Sequence, residues 1–155
     1  MGQLDFPLAA QVAAETEALI FPSFDEADAW ALGRALVHIA QENAAGIVIN
    51  IRSANRVLFH VALQGASPIN DNWARRKSNT ALLFGKSSLE MGCSLREAGQ
   101  SLERHGLPHS DYADHGGAVP VYVAGVGVVA VVTVSGLPQL EDHAMVIAAM
   151  RAHLA

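Results

Sequence analysis

The chain has 155 residues, 51% of them hydrophobic and only 16% charged, with a net charge of −5 and one cysteine. That length suits one domain spanning 1–155, and ordinary domains carry about 25% charged residues, so a homo-oligomer that hides part of the surface is expected. The negative charge argues against broad electrostatic binding to nucleic acid or acidic lipid, and a lone Cys93 excludes an intrachain disulfide and a cysteine-built zinc site.

The opening MGQLDFPLAAQVAAETEAL lacks the basic start and unbroken apolar core of a signal peptide. Gly2 follows Met1, but Phe6 stands where a myristoylation signal needs Ser or Thr. A helix is expected from Asp5 to Ala18, with Pro7 in its opening turn, and Leu19-Ile20-Phe21 reads as a short strand ended by Pro22. Ser23 and Glu26 have the spacing of a capping box for a helix running to Asn43, with Ala29, Leu32, Leu36 and Ile39 on one face. Gly46–Ile51 and Arg56–Leu63 are β-rich runs joined by a short connection, an antiparallel hairpin.

Asp71 is a candidate N-cap for a helix from Asn72 to Phe84. Ser94 and Glu97 make a second capping box, for a helix that stops at His105-Gly106-Leu107-Pro108. The longest apolar run, VPVYVAGVGVVAVVTV, is interrupted by Pro120, Gly125 and Gly127, which suits a hairpin (Gly117–Val123 with Val128–Val134) rather than a membrane helix. A last helix is expected over Pro138–His153. A cytoplasmic α+β protein is the expectation, a three-layer α/β/α arrangement of about five mostly antiparallel strands with helices on both faces.

Three segments bear chemistry. In SGLPQLEDH, Pro138 at the first helical position leaves Leu137 as an N-cap without a side-chain oxygen, so nearby amides need water, Ser135 or an acidic ligand. Leu140, His143, Ile147, Met150 and Leu154 form the inward stripe of this helix, where burial and the helix dipole favour a neutral His143. Glu141 and Asp142 complement that dipole. In HSDYADHGG, His109, Asp111, Asp114 and His115 are metal-compatible side chains, but loop spacing imposes no coordination geometry. If the last hairpin is tight, antiparallel pairing brings His115 and Gly116 beside Ser135 and His143.

In NDNWARRKSNTALLFGKSS, Arg75, Arg76 and Lys77 fan around more than half of the helix. Trp73, Arg76, Thr80 and Leu83 share one side, which places Arg76 by the indole, ready for a carboxylate or an anionic ligand. No nucleophile elbow, Walker loop or dinucleotide fingerprint occurs. Cys93 precedes a candidate helix start, where a thiolate would be stabilised, although a structural cysteine is the default.

LIFPSFDEADAWALG, NDNWARRKSNTALLFGKSS and HGGAVPVYVAGVGVVAVVTVSGLPQLEDH together resemble a bacterial and fungal uncharacterised family within the haem-degrading-domain (GlcG/HbpS-like) superfamily. The resemblance implies a profilin-like (GlcG-like) five-stranded antiparallel sheet flanked by helices, commonly in homo-oligomers. Some members of the superfamily bind haem, and a related domain accompanies corrinoid adenosyltransferases. The motif residues are Trp73, Arg76, Lys77, Asn79, His115, Gly116, Gly117, Ser135, Asp142 and His143; Leu140 departs from an acidic residue common in relatives.

The function expected is binding of a small anionic ligand. Arg76 or Lys77 would neutralise it, the amides after Gly136 and Pro138 would receive an oxygen, and His143 or His115 would donate a hydrogen bond. If a reaction occurs, His143, Asp142 and His115 are the catalytic candidates. Haem or corrinoid chemistry and a non-catalytic oligomeric scaffold are the alternatives, with no metal site expected.

Overall fold

Residues 5–155 are described by a computed structural model; Gly2, and with it the myristoylation expectation, lies outside them. The elements are α1 (Ala9–Glu17), β1 (Ile20–Phe21), α2 (Glu26–Glu42), β2 (Val48–Arg52), β3 (Val57–Ala62), α3 (Pro68–Phe84), α4 (Ser88–Glu97), a 3-10 turn (Leu102–His105), β4 (Ala118–Val123), β5 (Gly127–Ser135) and α5 (Gln139–Leu154). The strands form one sheet in the order β1-β4-β5-β2-β3.

Alternation along the central strands gives this sheet two unlike faces. On one, Ile49, Ile51, Val119, Val121, Val132 and Val134 meet Leu32 and Leu36 of α2 and Val146, Ile147 and Met150 of α5, forming the main apolar core. Burial of each such side chain contributes about 1.5–3 kcal/mol. The other face carries Asn50, Arg52, Thr133 and Ser135, covered by α3, whose inward residues include the buried Lys77, Ser78 and Thr80. α4 continues this second layer, and α1 packs on α4. The α3 layer combines hydrogen bonds, such as those of Lys77 and Ser78, with apolar packing of Ala81 on Ala118 and Val131, while Asn50 Oδ1 and Thr133 Oγ1 are buried without a protein partner.

The expected three layers and both hairpins are present, and the sheet is mixed rather than wholly antiparallel. β1 pairs with β4 in parallel, Ile20 opposite Tyr122. The cause is the α2 crossover, which returns the chain to the sheet in its original direction and makes β1 parallel to β2. Because β2 and β4 both flank β5 antiparallel to it, β1 must also run parallel to β4.

Several helix starts move. α1 begins at Ala9, after Pro7. The reciprocal cap of α2 is Asp25 with Asp28, each backbone N–H donating to the other's carboxylate at 3.0 Å, rather than Ser23 with Glu26. α3 begins a turn before Asp71, with Ser67 N donating to Asn70 Oδ1 at 3.0 Å. The 94–105 helix does not form. Ser-x-x-Glu occurs twice in close succession and the first copy is used: Ser87 Oγ accepts from Glu90 N at 3.1 Å. Ser94 lies inside α4, while Glu97 accepts from Ala9 N at 3.0 Å and ties α1 to α4. Gly106 terminates the short 3-10 turn instead.

The α2 cap yields a paired test. Asp25→Ala is expected to lower stability by about 1 kcal/mol in urea unfolding, as loss of an N-cap does, and Ser23→Ala by only a few tenths; the reverse ranking would contradict the Asp25 cap.

Candidate functional site

The consecutive Arg75, Arg76 and Lys77 of α3 take three different surroundings. Arg75 points outward to Asp111 Oδ1 at 3.0 Å. Arg76 lies with its guanidinium carbon 4.4 Å from the Trp73 ring centroid and donates from Nε to His109 O at 2.7 Å. Lys77 turns inward and is 3% exposed. A buried ammonium without a counter-charge would be strongly destabilising. Lys77 Nζ donates to Asp142 Oδ2 at 2.9 Å and to Val134 O at 3.1 Å.

Asp142, in the first turn of α5, is equally buried. It also accepts from Leu137 N at 2.9 Å and Gly136 N at 3.4 Å. Burial pushes the Lys77 ammonium down and the Asp142 carboxyl up from their ordinary values, each opposed by the partner's charge. The hydrogen bonds to both groups favour the charged pair at neutral pH. Space for it depends on Gly117, with φ +137°, where a Cβ would stand 2.4 Å from Val134 O and 2.7 Å from Lys77 Nζ.

Beside this pair, a cavity of about 230 Å³ opens between α3, the end of β5 and the start of α5. Asn70, Trp73 and Lys77 line one side; Ser135, Gly136 and Leu137 line another; Gln139, Asp142 and His115 complete it. His115 stacks on Trp73 with ring centroids 4.8 Å apart and planes 29° from parallel. Burial holds the His115 imidazole below its ordinary value, with Asp114 opposing and Lys77 adding to the shift. Gln139 Oε1 accepts from Gly116 N at 3.0 Å and pins the loop that carries His115.

Pro138 is the N-cap of α5, one residue earlier than a first-turn proline. Asp142 satisfies the preceding loop amides from behind, while Glu141 N and Asp142 N return to Pro138 O at 2.9 and 3.0 Å. Among the described residues, Gln139 N and Leu140 N have no protein acceptor.

The cavity thus gathers Trp73, Lys77, His115, Ser135, Gly136 and Asp142 from the sequence-derived set. Gly116, Gly117 and Pro138 are not among its lining residues, but Gly116 and Gly117 allow the close packing around it: a Cβ on Gly116 would lie 2.5 Å from Gln139 O. Arg76 and Asn79 do not line it; Asn79 Nδ2 donates to Asp111 O at 2.8 Å. His143 is buried behind Gly116, its Nε2 3.2 Å from Glu15 Oε1 and its Nδ1 without a protein partner. Burial lowers its pKa, with Glu15 opposing.

The four metal-compatible side chains diverge. His109 meets Glu103 at 2.8 Å, Asp111 meets Arg75, and Asp114 is 4.0 Å from His115. Among the described residues, no three His, Cys, Asp or Glu side chains converge on a metal position. Cys93 lies within α4 rather than ahead of a helix, and burial raises its thiol pKa. Leu140 packs with the Val12, Leu89 and Cys93 cluster. Sequence reasoning missed Asn70, Leu137 and Gln139 as lining residues. Gln139 stood inside the quoted motif, and Asn70 was hidden by starting α3 a turn late.

The chain thus has a mixed five-stranded sheet between two helical layers and a polar cavity where the last hairpin meets the last helix. The same fold occurs in the PduOC:Heme complex, which is 21% identical with a TM-score of 0.71 over 84% of this chain and 94% of that one. The chain belongs to the family described as haem degrading protein HbpS-like, which matches residues 24–151. It is 49% identical over 144 residues to a UPF0303 protein of Paraburkholderia phymatum, covering 92% of this chain and 87% of the relative. It is also similar to the Ybr137w protein, whose crystal structure aligns with 31% identity and a TM-score of 0.86 over 93% of this chain and 86% of that one.

Lys77→Met is expected to destabilise the protein by about 3–5 kcal/mol, because Asp142 is left as a buried uncompensated charge. The double variant Lys77→Met/Asp142→Leu should recover most of that loss in urea unfolding. Equal destabilisation of the single and double variants would contradict a coupled pair.

Proposed function

We propose that the protein binds a small anionic molecule in the Trp73–Asp142 cavity and works as a cytoplasmic homo-oligomer. The carrying observation is the state of Lys77. Its ammonium has three N–H donors, and two are engaged by Asp142 and Val134 O. The third, with the amide of the lining residue Gln139, offers an oxyanion donors on a positive helix end. The Trp73–His115 stack supplies a flat wall for the remainder of the ligand, and neutral His115 has one ring N–H to donate. Asp142 is held by three donors and His143 faces Glu15, so binding rather than turnover is the reading; His115 is the remaining candidate for proton transfer. The low charged fraction of the chain, 16%, supports assembly with further copies that hide part of its surface.

Haem is the second reading, favoured by the family description and by the fold shared with the PduOC:Heme complex. The residues of one chain do not fit that group within the cavity. About 230 Å³ is below the roughly 300–1,000 Å³ of pockets that enclose larger ligands. Asn70, Lys77, Ser135, Gln139 and Asp142 make its lining polar, and the His143 side chain is buried with its Nε2 directed to Glu15.

Crystals soaked in formate or acetate should show the anion within hydrogen-bond reach of Lys77 Nζ and Gln139 N; absence of density there at high concentration would contradict the reading. Haemin titration is expected to give no saturable Soret band. A saturable band lost in His115→Ala would overturn the small-ligand reading in favour of haem.

A further inference from the structure

A second groove, of about 490 Å³, lies between α3 and the polar face of β2 and β3 and shares no lining residue with the cavity. Its floor holds Arg52, the last residue of β2. The guanidinium is fixed by neutral acceptors alone: Nε donates to Ser78 Oγ at 2.9 Å, Nη2 to Asn79 Oδ1 at 2.5 Å and Nη1 to Ser53 O at 3.4 Å. These acceptors are themselves held, since Ser78 Oγ donates to Arg75 O at 3.0 Å and Asn79 Nδ2 to Asp111 O at 2.8 Å. A guanidinium has five N–H donors, so one on each terminal nitrogen remains to meet the oxygens of an anion.

No carboxylate pairs with Arg52 among the described residues. Arg75, on the groove wall, is neutralised by Asp111. Asp71 is the one carboxylate lining the groove, and it is engaged by His60 Nε2 at 2.9 Å, while His60 Nδ1 is 3.0 Å from Asn50 Nδ2. Burial, with Arg75 adding repulsion, depresses the Arg52 pKa, yet a guanidinium stays charged in proteins. A partly buried cation held only by neutral groups gains from an anion.

We propose that Arg52 is the anchor of a second binding site, which takes a compact oxyanion, carboxylate or phosphate, through its two free N–H groups. Arg52 keeps one orientation whether the site is filled or empty, because Ser78 and Asn79 hold it from α3. Affinity therefore comes without reordering the side chain.

The test is a ¹H–¹⁵N correlation titration of the full chain with sodium phosphate and, separately, sodium acetate. Each runs to about 50 mM at an ionic strength of about 0.15 M held with chloride. Saturable shifts are expected at the amides of Ser53, Ser78 and Asn79 and at Arg52 Nε–H, and the anion that saturates first identifies the oxyanion class. Arg52→Gln should remove saturation. Arg52→Lys, which keeps the charge and loses the fork, should weaken binding about tenfold, and it carries the test if the glutamine variant does not fold. Shifts that never saturate, shifts confined to Gln139 and Leu140, or unchanged binding in both variants would overturn the proposal. Changes at these resonances on diluting the protein alone would assign the fork to a second copy and also overturn it.

Discussion

The buried pair of Lys77 and Asp142 is the contact on which the arrangement around the site depends. It joins the middle of α3 to the first turn of α5, 65 residues apart in sequence, with only 2.9 Å between the charged atoms. Asp142 simultaneously holds the amides of Gly136 and Leu137, so the same carboxylate fixes how the chain leaves β5 and enters α5. An apolar pair could fill this volume at little or no cost in stability. What the charges add is position: each bond requires a particular atom at a particular place, and Gly117 is confined by that requirement. The cavity is the space left beside a junction whose members are all directionally fixed.

The two faces of the sheet divide the work. Ile49 and Ile51 face α2 and α5, and their neighbours in β4 and β5 complete a core in which burial supplies most of the stability. Asn50 and Arg52, alternating with them on the same strand, face α3. A layer that holds Lys77, Ser78, Thr133 and Ser135 away from water gains less from burial and depends on hydrogen bonds such as those of Lys77 and Ser78, although Thr133 Oγ1 has no protein partner. Polar atoms with spare hydrogen-bonding capacity lie on this side, among them Thr133 Oγ1, Asn50 Oδ1 and the remaining N–H groups of Arg52.

Much of this was legible in the sequence because period-2 and period-3.6 patterns are local. The apolar run from Val119 to Val134 showed that the last hairpin is covered on both faces, and Leu32 and Leu36 marked the inward side of α2. The antiparallel closure of that hairpin also places the His115 loop beside Ser135, which strand pairing alone requires. Helix starts were less legible: Ser23 and Ser94 carry the same capping spacing as the residues used, and only tertiary contacts choose among them. The partner of Lys77 was least legible. Asp142 already had a local reason to stand in the first turn of α5, the helix dipole, and nothing in its neighbourhood of the sequence indicates a lysine from α3. Arg52 escaped notice for a related reason: a basic residue at a strand end is ordinary until the absence of a carboxylate around it is seen.

The small-ligand proposal for the cavity beside this pair stands against a porphyrin and against an empty cavity. Native mass spectrometry of the protein as purified, set beside Trp73→Ala, tests it most directly. The expected spectrum is a discrete oligomer carrying a reproducible added mass per subunit, well below that of haem, which disappears in the variant. An added mass equal to haem, an added mass that persists in Trp73→Ala, or a bare oligomer that stays bare when small carboxylates are supplied would contradict it.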